Sequence, residues 1–165
     1  MGRPAYYGSV NAPGKFRDVM RCFPQGVAVV SIDAGGQRLG LTVSALVSLS
    51  LEPPLVGVAV SRQAALHELL REAGGFGVSL LAAGQEAVAE HFARGVPPIA
   101  MWEGIETLDL VGPPLLAGAV GWLVCTVRDE VDAGTHTLFA GVVDDARQGA
   151  PGPSLARVRG AWVEV

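Results

Sequence analysis

Hydrophobic and polar positions alternate most cleanly between Gly40 and Arg62. Val43, Ala45, Val47, Leu49 and Leu51 interleave with Thr42, Ser44, Ser48 and Ser50, with Leu46 as the break, and no charge falls between Gly40 and Leu51. That period predicts a strand with one side buried. The other side carries hydroxyls where a plain solvated strand more often carries Lys or Glu. Two readings fit it: a Thr/Ser-rich hairpin on a barrel surface, or a sheet of small groups against which a ligand lies. Glu52-Pro53-Pro54 ends the strand, because proline supplies no ladder donor. Leu55 to Val60 reads as the next strand. Ser61-Arg62 then precedes a helical pattern, where a serine N-cap, free helix N–H groups and a guanidinium together make an anion site.

The rest of the chain extends the strand-rich reading. Phe16, Val19, Met20 and Phe23 fall at i, i+3, i+4 and i+7, one apolar stripe on a short helix stopped by Pro24. Val27 to Ile32 suits a core strand, and Asp33-Ala34-Gly35-Gly36 is a hairpin signal. Ala64 to Glu72 is a helix with Leu66, Leu69 and Leu70 on one side, capped by Gly74-Gly75. Phe76 to Leu81 is a strand. A further helix runs from Gly84 to Arg94 with Val88 and Phe92 inward. Thr107 to Val111, Ala119 to Val131, Thr137 to Ala146 and Leu155 to Val163 are the remaining strands, with Ala133-Gly134-Thr135 as a tight turn. The elements do not alternate as βαβ, and no G-x-G-x-x-G follows the first strand, which argues against a Rossmann domain. Closing such a sheet into a barrel removes its edges. The expected fold is mainly β with short α-helices, a Greek-key barrel of about six strands.

Bulk properties narrow this further. The 165 residues suit one domain, and 50% are hydrophobic, enough to fill a core. An arm over residues 1–13 precedes a domain over residues 14–165. The net charge is −4 and Lys15 is the single lysine, which argues against a nucleic-acid partner; the arginines read as scattered. Cys22 and Cys125 form no C-x-x-C and read as two buried small hydrophobes, with no disulfide or metal site expected. The uncharged run from Leu110 to Val127 is interrupted by Gly112-Pro113-Pro114, Gly118 and Gly121, so it reads as a turn and a buried strand, not a membrane span. No targeting pattern opens the chain, and a soluble cytoplasmic protein is expected.

Three histidines are candidates for chemistry. His67 reads as a half-exposed helix residue, and His91 as a histidine that complements the end of the second long helix. His136 follows Gly134-Thr135 between two apolar strands, where a side chain is held firmly and still reaches solvent. It is either a turn histidine without a role or a site residue.

Four fragments occur together: Gly26-Val27-Ala28-Val29-Val30, Gly40-Leu41-Thr42-Val43-Ser44, Val47 to Val56 and Gly134 to Val143. In this order and spacing the chain, from about Phe16 to about Trp162, resembles the flavin reductase-like family of FMN-binding split barrels. That resemblance implies a split β-barrel homodimer. It implies FMN, or alternatively FAD, with NADH or NADPH as hydride donor, and a flavin-dependent monooxygenase as a recipient of reduced flavin. Carried over residue by residue, Thr42, Val43, Ser44, Ala45, Ser48 and Leu49 would line the flavin, and Ser61 and Arg62 its phosphate. Gln85, Phe92 and Ala93 would approach it from the helix, and His136 would stand near the nicotinamide and flavin ring. Trp102 would be a lid or a dimer contact. Ala45 replaces a serine of the family pattern and Thr135 an aspartate. Those departures keep open a non-enzymatic FMN-binding electron carrier on the same fold. A pyridoxamine-phosphate oxidase type is a third reading, disfavoured by the Gly134-Thr135-His136 context.

Overall fold

The chain is described by a computed structural model covering residues 13–94 and 97–165. The expected arm lies outside these residues except for Pro13, which opens helix α1 (Pro13–Met20). Ten strands and two further helices follow. They are β1 (Gln25–Gly26), β2 (Ala28–Ala34), β3 (Gln37–Val43), β4 (Leu46–Leu51), β5 (Pro54–Ser61), α2 (Leu66–Ala73), β6 (Gly75–Leu80), α3 (Glu86–Ala93), β7 (Gly121–Ala133), β8 (His136–Gln148), β9 (Leu155–Val158) and β10 (Ala161–Glu164), with a 3-10 turn at Pro98–Ala100.

Seven strands form one antiparallel sheet in the order β3-β2-β6-β7-β8-β5-β4. Its two edge strands are consecutive in sequence, separated only by Ser44 and Ala45. A link so short requires the edges to lie close together, so the sheet has curled into a barrel whose seam is at that corner. Beside the seam the Ala59 N–H donates to the Ala45 carbonyl at 3.1 Å, which extends the β4–β5 ladder to the corner. Strands β1, β9 and β10 form a small second sheet. It is tied to the barrel by reciprocal backbone bonds among Val27, Leu81 and Leu155.

The core follows the apolar runs. Val29, Val30, Ile32, Val58, Val60, Phe76, Val78 and Phe139 are fully buried in the core, and Leu66 and Leu70 bring α2 against it. The β2–β3 hairpin turns through Gly35 and Gly36 at φ 63° and 94°, values glycine adopts without steric cost. At Gly40 a Cβ would lie 2.6 Å from the Phe92 ring, so only a bare backbone lets α3 lie this close to β3. The thiol of Cys125 is pushed up to about 12 by burial, which keeps it protonated.

The structure departs from the sequence reading at definite places. The alternating stretch is two strands, because β3 pairs with β2 while β4 pairs with β5 at the other edge. The side of β4 expected to be buried is exposed: Val47 is 47%, Leu49 45% and Leu51 84% accessible. The α1 stripe also faces outward, and Cys22 beside it is exposed. Thr107 to Val111 forms only an isolated bridge from Thr107 to Leu116. The closing strand is a hairpin, broken where Arg159 and Gly160 take positive φ. The barrel sheet has seven strands, near the expected six, and the small sheet adds three more, ten in all among the described residues. No helix among the described residues is long and apolar enough to cross a membrane.

Candidate functional site

The seam corner holds six of the expected site residues, and they are not equivalent. Val43 is buried, so only its backbone is available to a ligand. The Thr42 hydroxyl donates to the Ala89 carbonyl at 2.6 Å and so fastens α3 to β3. Ser44, Ala45 and Ser48 are exposed. The N–H groups of Ser44 and Ala45 donate to no backbone carbonyl among the described residues. Leu49 sits at a register shift between Ser48 and Ser50, and its side chain lies with Val47 and Leu138 over Gly57. The extra residue of such a bulge bends the strand and re-aims its side chains.

A second group meets this corner from β5 and β8. Ser61, at the end of β5, stands opposite His136, at the start of β8. The Arg62 N–H donates to the Thr135 carbonyl at 3.1 Å, and Thr135 Oγ1 lies 3.0 Å from His136 Nδ1. The Ala45 carbonyl binds the N–H of Ala59, two residues before Ser61, so the corner and the Ser61–His136 pair share one end of the barrel. The imidazole of His136 is exposed, carried by the turn in which Gly134 takes φ 70°.

The expected anion site at the start of α2 is not built as the sequence suggested. The N-cap of α2 is Ala65, four residues beyond Ser61, and it makes no side-chain cap. The Ser61 hydroxyl instead accepts the Gln63 N–H at 3.3 Å. Arg62 is ion-paired with Asp132 on β7, so an incoming phosphate has to compete with a carboxylate.

The α3 residues separate. Phe92 and Ala93 line a cavity of about 380 Å³ with Gly40, Leu41 and the Gln63 to Ala65 segment that follows Arg62. Gln85 is at the other end of the helix. Its amide is engaged at both ends, with Oε1 accepting from Ala82 N–H and Nε2 donating to the Ala117 carbonyl, both at 2.9 Å. Trp102 packs behind Phe92 at 4.9 Å between ring centroids and donates its indole N–H to the Arg38 carbonyl. The half-buried His91 donates from Nε2 to the Met101 carbonyl at 2.8 Å, which holds α3 to the following loop.

His67 is the residue sequence reasoning misplaced most. It is 1% exposed, not half-exposed. Its Nδ1 lies 2.8 Å from Glu68 Oε1 and its Nε2 2.8 Å from Thr137 Oγ1. An ionised carboxylate only accepts, so Nδ1 carries the proton, and in the neutral ring Nε2 accepts the Thr137 hydroxyl. Hydrogen bonding to His67 first, and the nearby Arg71 as well, hold the Glu68 carboxyl below its ordinary value. The ring meets Phe139 edge-on at 5.4 Å. The helix period marked His67 as off the Leu66–Leu70 line, and nothing local announced Thr137 as its partner. No group of three or more His, Cys, Asp or Glu able to hold a metal occurs among the described residues.

A barrel corner whose N–H groups no backbone carbonyl takes up among the described residues suits a planar polar ligand, and comparison with known proteins shows which family the chain falls in. The profile of the flavin reductase like domain matches residues 20–161. The chain is 41% identical over 141 residues to the reductase component of 4-hydroxyphenylacetate 3-monooxygenase from Thermus thermophilus, covering 85% of this chain and 88% of that one. It is 40% identical over 134 residues to an NADH-dependent FAD reductase from Streptomyces globisporus, covering 78% and 72% of the two chains. Among solved structures, an NADH:FAD oxidoreductase from Streptomyces globisporus superposes with a TM-score of 0.89 at 33% identity, covering 99% of each chain. With the profile, these relatives and the fold in agreement, the chain belongs to the flavin reductase-like domain family and is a flavin reductase.

Proposed function

We propose that hydride passes from NADH or NADPH to flavin at the seam end of the barrel, bounded by Ser44, Ala45, Ser48, the Ser61–His136 pair and the Phe92 end of α3. One observation carries this placement. The corner offers N–H groups of Ser44 and Ala45 that no backbone carbonyl takes up among the described residues, beside a hairpin end that presents an exposed imidazole. Bound flavin supplies the hydride-accepting chemistry.

The chain binds and orients. Ser44 and Ala45 donate backbone N–H groups to the polar edge of the ring, and the Ser44 and Ser48 hydroxyls add side-chain bonds. The missing hydroxyl at Ala45 leaves its N–H in place. Arg62 meets the flavin phosphate by exchanging Asp132 for it, a switch a guanidinium makes readily because its planar fork bonds two oxygens of either group. Thr42 acts through Ala89, positioning α3 without touching the ligand. Gln85 likewise acts on the α3 start. His136 orients the nicotinamide from a rigid ladder. Its neighbour is the Thr135 hydroxyl at 3.0 Å, at the position where the family pattern has an aspartate.

The enzyme works as a cytoplasmic homodimer. The exposed apolar side chains on β4 (Leu51, 84%) and on α1 (Phe16, 66%; Val19, 69%) support this reading as surface that a second copy would cover. Reduced flavin goes to a flavin-dependent monooxygenase. The Thermus relative, itself the reductase component of such an enzyme, supports that assignment.

The test is anaerobic addition of NADH, then NADPH, to the flavin-loaded protein. Bleaching of the flavin bands at a saturable rate is expected. A bound flavin that neither nucleotide bleaches would overturn the enzyme reading in favour of an electron carrier. Light scattering checks the assembly, and a monomer with full flavin affinity would contradict it.

A further inference from the structure

The β7–β8 hairpin outruns its sheet on one side. β6 pairs with β7 only as far as Thr126, and from there to Ala133 β8 is the one ladder partner of β7 among the described residues. His136 is the terminal pair of both its ladders, opposite Ala133 on β7 and Ser61 on β5. Strand ends with few buried contacts fray. An imidazole that orients a substrate from such an end needs a brace.

Three side-chain contacts tie the segment around α2 to this overhang. Arg62 pairs with Asp132, Arg71 Nε donates to Glu130 at 2.6 Å, and His67 Nε2 lies 2.8 Å from Thr137 Oγ1. All six residues line one open cavity of about 460 Å³. The two ion pairs are partly exposed, and exposed pairs hold little. The third contact is buried at both ends, with Glu68 on Nδ1 and the Phe139 ring edge-on behind it. A fully satisfied buried polar unit holds one geometry, whereas apolar groups in the same place can slide. Thr137 follows His136 directly and stands opposite Val60 on β5 and Asp132 on β7. Successive strand side chains point to opposite sides, so a grip on buried Thr137 leaves the imidazole of His136 exposed and unobstructed.

We propose that His67 is a positioning residue for hydride transfer: through Thr137 it fixes the backbone that aims His136. The assignment rests on the reading of His136 as the group that orients the nicotinamide. In this role His67 touches neither flavin nor nicotinamide and needs no charge. The neutral ring, protonated on Nδ1, satisfies both of its partners.

The test is anaerobic stopped-flow reduction of the flavin-loaded full chain over a range of NADH concentrations. It compares the parent with Thr137→Val, Thr137→Ser, His67→Leu, His136→Ala and the double variant Thr137→Val/His136→Ala. Thr137→Val should slow the limiting rate about fivefold with flavin affinity held. Thr137→Ser, which keeps the hydroxyl, should restore the rate. In the His136→Ala background Thr137→Val should slow reduction no further, because the group it aims is gone. Equal slowing in both backgrounds would make the pair a structural contact alone and overturn the proposal. A parent-like rate in Thr137→Val beside a slowed His136→Ala would overturn it too. His67→Leu should match Thr137→Val, and the Thr137 variants carry the test if urea denaturation shows that His67→Leu does not fold. A parent-like rate in His136→Ala itself is a different failure: it removes the reading of His136, and the proposal with it.

Discussion

Ser61 stands directly opposite His136 in the β5–β8 ladder, and one step further the Arg62 N–H closes that end on the Thr135 carbonyl. The imidazole is therefore set by a ladder, not by a loose turn. His136→Ala should slow flavin reduction by roughly tenfold, about 1.4 kcal/mol of orientation, while flavin affinity stays nearly constant. Stopped-flow reduction and flavin titration read the two quantities separately. An unchanged reduction rate removes His136 from the mechanism.

Arg62 and Asp132 form an ion pair whose side chains are 44% and 76% exposed. Such a pair contributes less than about 1 kcal/mol to stability after solvent screening. Asp132→Asn should therefore leave the urea midpoint nearly unchanged and tighten FMN relative to riboflavin, because Arg62 no longer has to be released. Arg62→Ala should weaken FMN and spare riboflavin. Equal effects on both flavins would end the phosphate role.

Thr137 is 3% exposed and holds the Nε2 of the equally buried His67. Thr137→Val keeps the shape and leaves that ring nitrogen without its partner, at a cost of roughly 1–3 kcal/mol. Urea denaturation should show that loss. His67→Leu tested alone and with Thr137→Val should give a combined effect smaller than the sum, as groups in one hydrogen-bonded unit do. Strict additivity would mean the two residues act independently.

The Asp33 carboxyl is held below its ordinary value, chiefly by the Gly36 N–H and then by Arg38. A lowered folded value means the unfolded chain takes up the proton more readily. The stabilisation is thus fully present above the ordinary aspartate range of about 3.9 and disappears as pH falls through the lowered value. Asp33→Asn should destabilise the protein by less than about 1 kcal/mol at neutral pH, the gap closing in acid. Parallel stability curves down to acid pH would contradict the linkage.

Much of the fold was legible because local rules dominate it. The Gly35-Gly36 and Gly134-Thr135 turns, the helix stripe of Leu66 and Leu70 and the apolar runs of β2, β6 and β8 carry their own signals. The seam was not legible. Continuous alternation through Ser44-Ala45 looks the same whether the chain runs on in one strand or crosses between two edges. Burial on β4 was misjudged because an exposed apolar side has the same period as one facing a core. The site fragments were legible only through family resemblance, and the uses of Thr42 and Gln85 depend on Ala89 and Ala117 carbonyls that no sequence spacing reveals. One basic cavity escaped notice because Arg17 and Arg21 meet Arg157 and Arg159 only after the small sheet docks.

The seam also orders events in time. The β7–β8 ladder closes through a two-residue turn, so its loop is short and its nucleation cheap. Edge strands β3 and β4 each have a ladder partner on one side only, while β7 is paired on both. The corner proposed to receive the ligand is then among the first parts of the sheet to open in native fluctuations. Amide hydrogen exchange should find β3 and β4 exchanging faster than the centre of β7, with flavin slowing both edges together, because a ligand spanning the seam acts as its missing clasp.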